Sequence, residues 1–329
     1  MIISQTPLRI SFVGGGTDFK DFYTREEGWV ISSAIDKYVF VIVKERFDDK
    51  IYINYSQKEI VDSVDEIKHD LVREAMRKAG IEQGIEITTL ADIPSEGSGL
   101  GSSSSVTVGL LNAFYHFTGN PQTPETLARE ACEIEIDILG KPIGKQDQYI
   151  TAYGGLRFFK FKADGQVENE KITLNNGLNR KFGANLLLFY TGKTRQADVI
   201  LNEQKNNIEK KLEIMRQMKQ QALELRNYLQ AGEPDHLGKI FQKGWELKKQ
   251  LASKITNGDI DQMYQKALEA GALGGKICGA GGGGFLMLYC PRYQQDQVRQ
   301  AMKDYREFPF FLEKHGSKII FNYCRYEWK

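Results

Sequence analysis

Hydrophobic and polar positions alternate along the first third of the chain and then settle into longer helical repeats. Residues 2–3 and 8–13 read as strands, residues 29–45 (WVISSAIDKYVFVIVKE) as one or two longer strands rich in β-branched side chains, and residues 51–55 as another. Ile67, Leu71, Ala75, Met76 and Ala79 keep helical spacing over residues 66–80, and Gly80 ends that run. Residues 84–90 alternate as a strand, and the apolar run 106–117 reads as a helix. Thr123 can cap, and Pro124 can open, a further helix reaching about Leu139. Residues 156–162 read as a strand, before a polar stretch over residues 164–180.

The second half begins with a buried strand at 185–190 (NLLLFY). One long amphipathic helix is predicted over 198–230, on Ile208, Leu212, Met215, Ala222, Leu225 and Leu229, with Gly232 and Pro234 ending it. Helices at about 235–254 and 259–270, a strand at 285–289, a helix at 294–306 and a strand at 317–325 follow. The pattern predicts an α+β protein of two domains, residues 1–183 and 184–329, with no internal repeat.

Composition narrows the function classes. The 329 residues are enough for roughly two domains with cores of their own. Forty-four basic residues against 43 acidic ones leave no electrostatic footprint for nucleic acid or a membrane surface. The opening MIISQTPLRI lacks a basic segment followed by a long apolar one, and no apolar run is long enough to span a bilayer. Cys132, Cys278, Cys290 and Cys324 show no CxxC spacing, which implies reduced thiols and a cytoplasmic protein rather than a zinc site or disulfide framework.

Candidate chemistry lies in four glycine-rich or polar stretches. Residues 94–105 read PSEGSGLGSSSS. Gly97, Gly99 and Gly101 let backbone N–H groups approach a ligand, and the serines fall at the N-terminus of the following helix, which favours phosphate. A serine hydroxyl there can also ligate Mg²⁺. A flexible Gly/Ser linker is the alternative, set against an apolar strand before it and an apolar helix after it. Gly14-Gly15-Gly16-Thr17-Asp18 is a tight turn ending in an acid, which can also be a plain hairpin turn. Residues 140–155 read as a polar loop with Asp147 between two glutamines, where an aspartate can be a turn residue or a catalyst. Residues 271–284 (GALGGKICGAGGGG) include a literal GxGxxG, but it follows a helix and opens a strand, the reverse of a dinucleotide-binding context. No Walker A lysine and no HRD or DFG set accompanies these loops.

Taken together and in order, Pro7-Leu8-Arg9 through Asp18, Pro94 through Ser105 with GLGSSS at 99–104, and Cys278 through Gly284 resemble the three motifs of the GHMP kinases. That superfamily holds galactokinase, homoserine kinase, mevalonate kinase and phosphomevalonate kinase, and the resemblance covers nearly the whole chain. GGGTD in place of GEHTD, the preceding Thr6 to Phe12, and Thr191-Gly192 with Arg195 are similar to the D-glycero-D-manno-heptose 7-phosphate kinases and the kinase half of bifunctional fucokinases.

The resemblance implies an N-terminal domain related to ribosomal protein S5 domain 2 and a ferredoxin-like C-terminal domain. It implies transfer of the ATP γ-phosphoryl to the anomeric hydroxyl of a sugar, with D-glycero-D-manno-heptose 7-phosphate as the leading acceptor. Pro94, Gly97, Gly99, Leu100, Gly101, Ser102, Ser103, Ser104 and Ser105 would hold ATP. Ser103, with Ser102 as the neighbouring alternative, and Glu135 would hold Mg²⁺; the plain reading of Glu135, as of Glu130, Glu133 and Asp137, is a solvated helix face. Asp147 would accept the sugar hydroxyl's proton, with Arg9 keeping it ionised. Gly15, Gly16, Thr17, Asp18, Gly281, Gly282 and Gly283 would contact the sugar, while Lys193 and Arg195 would either receive a distal phosphate or be ordinary surface. The partners implied are ATP and a sugar or sugar phosphate, with a homodimer allowed and neither nucleic acid nor membrane involved. A fucokinase or galactokinase activity, or a non-catalytic sugar- or nucleotide-binding regulator of the same fold, are the alternatives.

Overall fold

The computed structural model describes residues 1–93, 97–193 and 197–323. Its first half is built on β1 (Ile2–Val13), the short helix α1 (Lys20–Tyr23) and the 18-residue strand β2 (Gly28–Glu45). The hairpin β3 (Ile51–Asn54) and β4 (Lys58–Val61), helix α2 (Asp70–Ala79) and strand β5 (Ile85–Ala91) follow. Then come α3 (Ser102–Phe117), α4 (Pro124–Cys132), α5 (Gln146–Tyr153), β6 (Leu156–Phe161) and β7 (Val167–Lys171).

Antiparallel β1 lies along one edge of β2; the other edge is shared, β6 pairing with residues 28–33 and β5 with residues 39–45. Among the described residues, only the β3–β5 pairing in this eight-stranded sheet is parallel. Two strands expected at 2–3 and 8–13 are one, because the polar residues between them are buried and satisfied. Ser4 Oγ donates to the Gly109 carbonyl at 2.8 Å, and Thr6 Oγ1 shares a hydrogen bond with Ser317 Oγ at 2.8 Å. Gly109 is what lets α3 lie so close: a Cβ there would sit 2.9 Å from Thr6 Oγ1.

The second half holds α6 (Asn176–Ala184), β8 (Leu186–Tyr190), α7 (Ala197–Asn206), α8 (Leu212–Ala231), α9 (Leu237–Lys249) and α10 (Gly258–Glu269). Strands β9 (Gly274–Ile277) and β10 (Phe285–Tyr289), helix α11 (Gln295–Ala301) and strand β11 (Lys318–Asn322) complete it. Strands β8, β10 and β9 form a second antiparallel sheet in that order.

Three expectations change here. The long helix over 198–230 is two helices: between them buried Ile208 turns into the core, and Asn207 Nδ2 donates to the Leu251 carbonyl at 3.0 Å. The glycine-rich stretch from 271 contains strand β9, whose glycines carry no periodic signal; Gly274 admits no Cβ because the Gly238 carbonyl oxygen would lie 2.1 Å away. The final strand, expected near 317–325, joins the first sheet beside β1. Residues Cys324 to Lys329 lie outside the described residues.

Buried apolar side chains form two clusters. One lies between the large sheet and α2 to α5 and continues to α8 and α9; the other surrounds the small sheet and takes in Phe19 and Phe22 from the turn after β1. The two clusters leave a cleft between β1 and the loops after β9.

Candidate active site

Three glycine segments far apart in sequence meet at this cleft. A Cβ on Gly99 (φ +76°) would lie 2.4 Å from the Cys278 carbonyl oxygen, one on Gly279 would lie 2.7 Å from Gly99 Cα, and one on Gly284 would lie 2.5 Å from the Ser98 carbonyl oxygen. Backbone is thus pressed against backbone, which only glycine permits. Arg9 joins β1 to the loop: its backbone N–H donates to the Leu100 carbonyl at 2.9 Å, and its Nη1 to the Gly99 carbonyl at 2.6 Å.

Asp147 sits in the first turn of α5, where the sequence pattern gave a loop. Its neighbours explain why the pattern is silent: Gln148 and Thr151 are polar yet fully buried, so the helix shows no amphipathic stripe. Arg9 holds Asp147 with two donors, Nε to Oδ1 at 2.6 Å and Nη2 to Oδ2. Burial alone would lower the Arg9 guanidinium, but Asp147 outweighs it and the net direction is upward.

Gly101 caps α3, which begins at Ser102, so the four serines lie inside the helix and not before it. They have different surroundings. Ser103 Oγ bonds Glu135 Oε1, and Ser102 Oγ is buried with no hydrogen-bond partner among the described residues. Ser105 Oγ donates to the carbonyls of Pro7 (2.9 Å) and Gly101 (3.0 Å), which ties the helix to β1. Leu100 is fully buried in the core, so only its main chain is available to a ligand.

Glu135 lies on a π-helical stretch, Glu133–Ile138, that continues α4. It follows buried Leu127 and Ala131 at helical spacing and is itself fully buried, unlike a solvated helix face. Glu130, also read as solvated, is buried too and accepts from Tyr115 Oη at 2.5 Å. Burial pushes the Glu135 carboxyl up, against the pull of Lys141, whose ammonium lies 3.9 Å away, and of hydrogen bonds from Ser103 and Gln148. Gln148 Nε2 donates to Glu135 Oε2 at 2.7 Å, while its own Oε1 is buried without a partner among the described residues.

The turn after β1 forms one wall of a cavity lined by Arg9, Gly15, Gly16, Asp18 and Asp147. Asp18 accepts from Gly16 N (2.9 Å), Gln146 N (3.1 Å) and Gln146 Nε2 (3.1 Å). Burial pushes its carboxyl upward, with these donors opposing. Thr17 does not reach the cavity, contrary to expectation: its Oγ1 donates to the carbonyls of Gly14 (2.8 Å) and Trp29 (3.0 Å), and the residue is fully buried.

The structure brings together Arg9, Gly15, Gly16, Asp18 and Asp147 at the cavity, with Gly97 to Ser105 and Glu135 beside it. Lys193 is not among the lining residues; it is exposed and paired with Asp259. Pro94 and Arg195 lie outside the described residues. Gly281 and Gly283 brace neighbouring backbone at Ile255 and Lys193, and Gly282 opens on an adjoining groove with Val199, Ile200 and Asn257, so from this segment Gly279 and Ala280 line the cavity instead.

Several cavity residues carried no sequence signal of their own. Ser11 reads as an ordinary strand position, Lys276 as part of the glycine-rich stretch 271–284, and Lys248 as one of many helix lysines. Gln146 and Gln148 flank Asp147, and that symmetry was the available clue: Gln146, Asp147 and Gln148 reach Asp18, Arg9 and Glu135 in turn.

Comparison with known proteins accords with this geometry. Residues 65–155 match the GHMP kinases N terminal domain, and residues 222–307 match the GHMP kinases C terminal domain. The chain is a GHMP kinase. It is 30% identical over 336 aligned positions to the D-glycero-alpha-D-manno-heptose 7-phosphate kinase of Campylobacter jejuni, covering 96% of this chain and 98% of that one. The L-fucokinase/L-fucose-1-P guanylyltransferase of Bacteroides fragilis is 29% identical across 88% of this chain and 34% of its own length. In structure, a D-glycero-D-manno-heptose 1-phosphate kinase from Bacteroides thetaiotaomicron matches with a TM-score of 0.82 at 25% identity, covering 98% of this chain and all 100% of that one. This GHMP kinase is a sugar kinase, and GHMP kinases use ATP as phosphate donor. Among the described residues, no helix is long and apolar enough to cross a membrane.

Proposed function

We propose that this kinase phosphorylates the anomeric hydroxyl of a heptose, with D-glycero-D-manno-heptose 7-phosphate as its acceptor and heptose 1,7-bisphosphate as its product. The observation carrying this reading is the Arg9–Asp147 pair at the cavity floor, beside the interlocked glycine segments. Two of the relatives are named for a heptose and differ on the position of the phosphate, while a third is named for L-fucose. Asp147 accepts the proton of the sugar hydroxyl as its oxygen bonds the γ-phosphorus and the bond to ADP breaks. Arg9 holds the carboxylate in line with two donors, and phosphoryl transfer is mostly a matter of such positioning and charge stabilisation. The main chain from Gly97 to Gly101 and the N-terminus of α3 cradle the ATP phosphates.

The donors at Ser103 and Glu135 fit Mg²⁺. Among the described residues no cluster of three His, Cys, Asp or Glu exists. A buried carboxylate oxygen beside one hydroxyl is nonetheless the sparse, hard-oxygen set that leaves the remaining positions to phosphate and water. When bound, the ion would neutralise charge on the transferring phosphates.

The reading is tested by following ADP release over a panel of hexoses and heptoses with and without a terminal phosphate, and locating the new phosphate in the product by ³¹P NMR. Turnover of heptose 7-phosphate with the new phosphate on the anomeric carbon supports it. A product phosphorylated elsewhere, or preference for a fucose or galactose acceptor, replaces it. Binding of sugar or nucleotide without turnover would instead favour the non-catalytic regulator.

A further inference from the structure

The cavity holds a cation that the chemistry above does not use. Lys276 is buried on β9 and sends its ammonium across the cleft to the carbonyls of Ser11 (2.9 Å) and Phe12 (3.0 Å) on β1. Among the described residues it forms no ion pair, and its third N–H is left over. A buried ammonium without a carboxylate is expensive to maintain, and burial draws Lys276 down to about 8. Beside it, Ser11 lines the same cavity with only 7% of its surface exposed, and its Oγ has no hydrogen-bond partner among the described residues. Gly15 lines the cavity next to that hydroxyl, a Cβ there lying 3.6 Å from it at ordinary contact distance. Lys248, donating to the carbonyls of Ile277 and Gly279, adds a second ammonium to the cavity wall. The wall thus carries Arg9, Lys248 and Lys276 against Asp18 and Asp147, and Arg9 already serves Asp147.

We propose that Lys276 and Ser11, with Lys248 alongside, form the subsite that receives a phosphate monoester carried by the acceptor sugar at the end distal to its anomeric carbon. Arg9 and Ser11 lie two residues apart on one face of β1, roughly 7 Å along the strand. A sugar whose anomeric hydroxyl faces Asp147 therefore extends its far end toward Ser11 and Lys276. The leftover ammonium N–H and the Ser11 hydroxyl both donate to phosphate oxygens, and an anion there supplies the counter-charge that Lys276 lacks. Lys193, by contrast, already spends its charge on Asp259 at the surface. This inference rests on the proposed sugar-kinase reading and specifies which residues select a phosphorylated acceptor.

The test compares heptose with heptose 7-phosphate as acceptors for wild type, Lys276→Met, Ser11→Ala and Arg195→Ala. In the wild type the phosphorylated sugar is preferred. In Lys276→Met its KM rises about 10- to 100-fold, the loss expected of a charge-assisted bond, and the preference collapses while KM for ATP holds. Ser11→Ala shifts the preference in the same direction by a smaller factor, and it serves as the second readout should Lys276→Met fail to fold. Inorganic phosphate competes with the acceptor in wild type and loses that competition in Lys276→Met. Three outcomes overturn the inference. One is an equal fall in kcat on both sugars with KM unchanged, which would place Lys276 on the phosphoryl group coming from ATP. The second is a preference lost in Arg195→Ala and kept in Lys276→Met. The third is a wild type indifferent to the terminal phosphate. Absence of turnover with every sugar would instead remove the sugar-kinase reading itself.

Discussion

The Arg9 guanidinium joins the carboxylate of Asp147 to the glycine loop before α3: Nε and Nη2 take the two oxygens of Asp147, while Nη1 donates to the Gly99 carbonyl at 2.6 Å. A point charge on a flexible stem cannot make this three-way contact. Arg9→Lys is therefore expected to lower kcat and raise KM for ATP together, and Asp147→Asn to lower kcat by roughly 10²–10⁴ with KM for ATP little changed. Steady-state kinetics on the two variants separates the effects, and near-wild-type turnover in Asp147→Asn would remove it as the base.

Gln148 Nε2 donates to the Glu135 carboxylate at 2.7 Å, and its own Oε1 is buried without a partner among the described residues. Replacing Gln148 by Met keeps the volume and removes the donor. The Mg²⁺ concentration giving half-maximal rate is expected to rise about 10-fold, within the range for residues that orient a metal ligand, and to rise further in Glu135→Gln. A Mg²⁺ titration at fixed ATP reads this directly; an unchanged midpoint in both variants would dissociate Glu135 from the metal.

Gly99 and Gly119 share nearly the same backbone, at φ +76° and +75°, but a Cβ on Gly119 meets nothing within 4 Å while one on Gly99 strikes the Cys278 carbonyl. Gly119→Ala should lose only the backbone strain, about 1–3 kcal/mol. Gly99→Ala should lose more and also raise KM for ATP, because the loop must part from the Gly279 turn. Thermal unfolding of the two variants side by side isolates the steric part.

Lys276 gives a pH signature with a defined sign. Its folded value of about 8 lies below the roughly 10.4 of an unfolded lysine, so between these values the unfolded chain binds the extra proton. Stability therefore rises with pH across that window, on the order of 3 kcal/mol in total, relative to Lys276→Met. Between pH 7 and 10, the difference in unfolding midpoint between the two proteins should shift in favour of wild type. In the wild type, KM for a phosphorylated acceptor should climb above pH 8 as the ammonium is lost.

Much of this was legible in the sequence because glycine leaves a mark that packing does not blur. The three glycine segments, the cap at Thr123, whose side chain accepts from Thr126 N, and the stop at Gly80 (φ +68°) all follow from backbone chemistry. Elements whose polar residues are buried escaped: α5, with Gln148 and Thr151 inside, read as a loop, and the middle of β1 as a gap. Glu135 looked like helix surface because a helical carboxylate usually faces solvent, yet it lies four and eight residues after buried Ala131 and Leu127, on the inward face. Strand β7, VENEK, sits at the edge of the sheet against β6, where polar side chains face water and no alternation is required.

The 265 residues separating Ser11 from Lys276 bear on how the enzyme is made. A nascent chain can display the serine helix, Glu135, Asp147 and Arg9 long before β9 has been synthesised, yet the cavity then lacks the wall that Lys276, Gly279 and Ala280 supply, and Gly99 lacks the turn it locks against. Contacts so distant in sequence are slow to close. Catalytic competence should thus arrive as one of the last events of folding, which keeps half-made enzyme from hydrolysing ATP to no purpose.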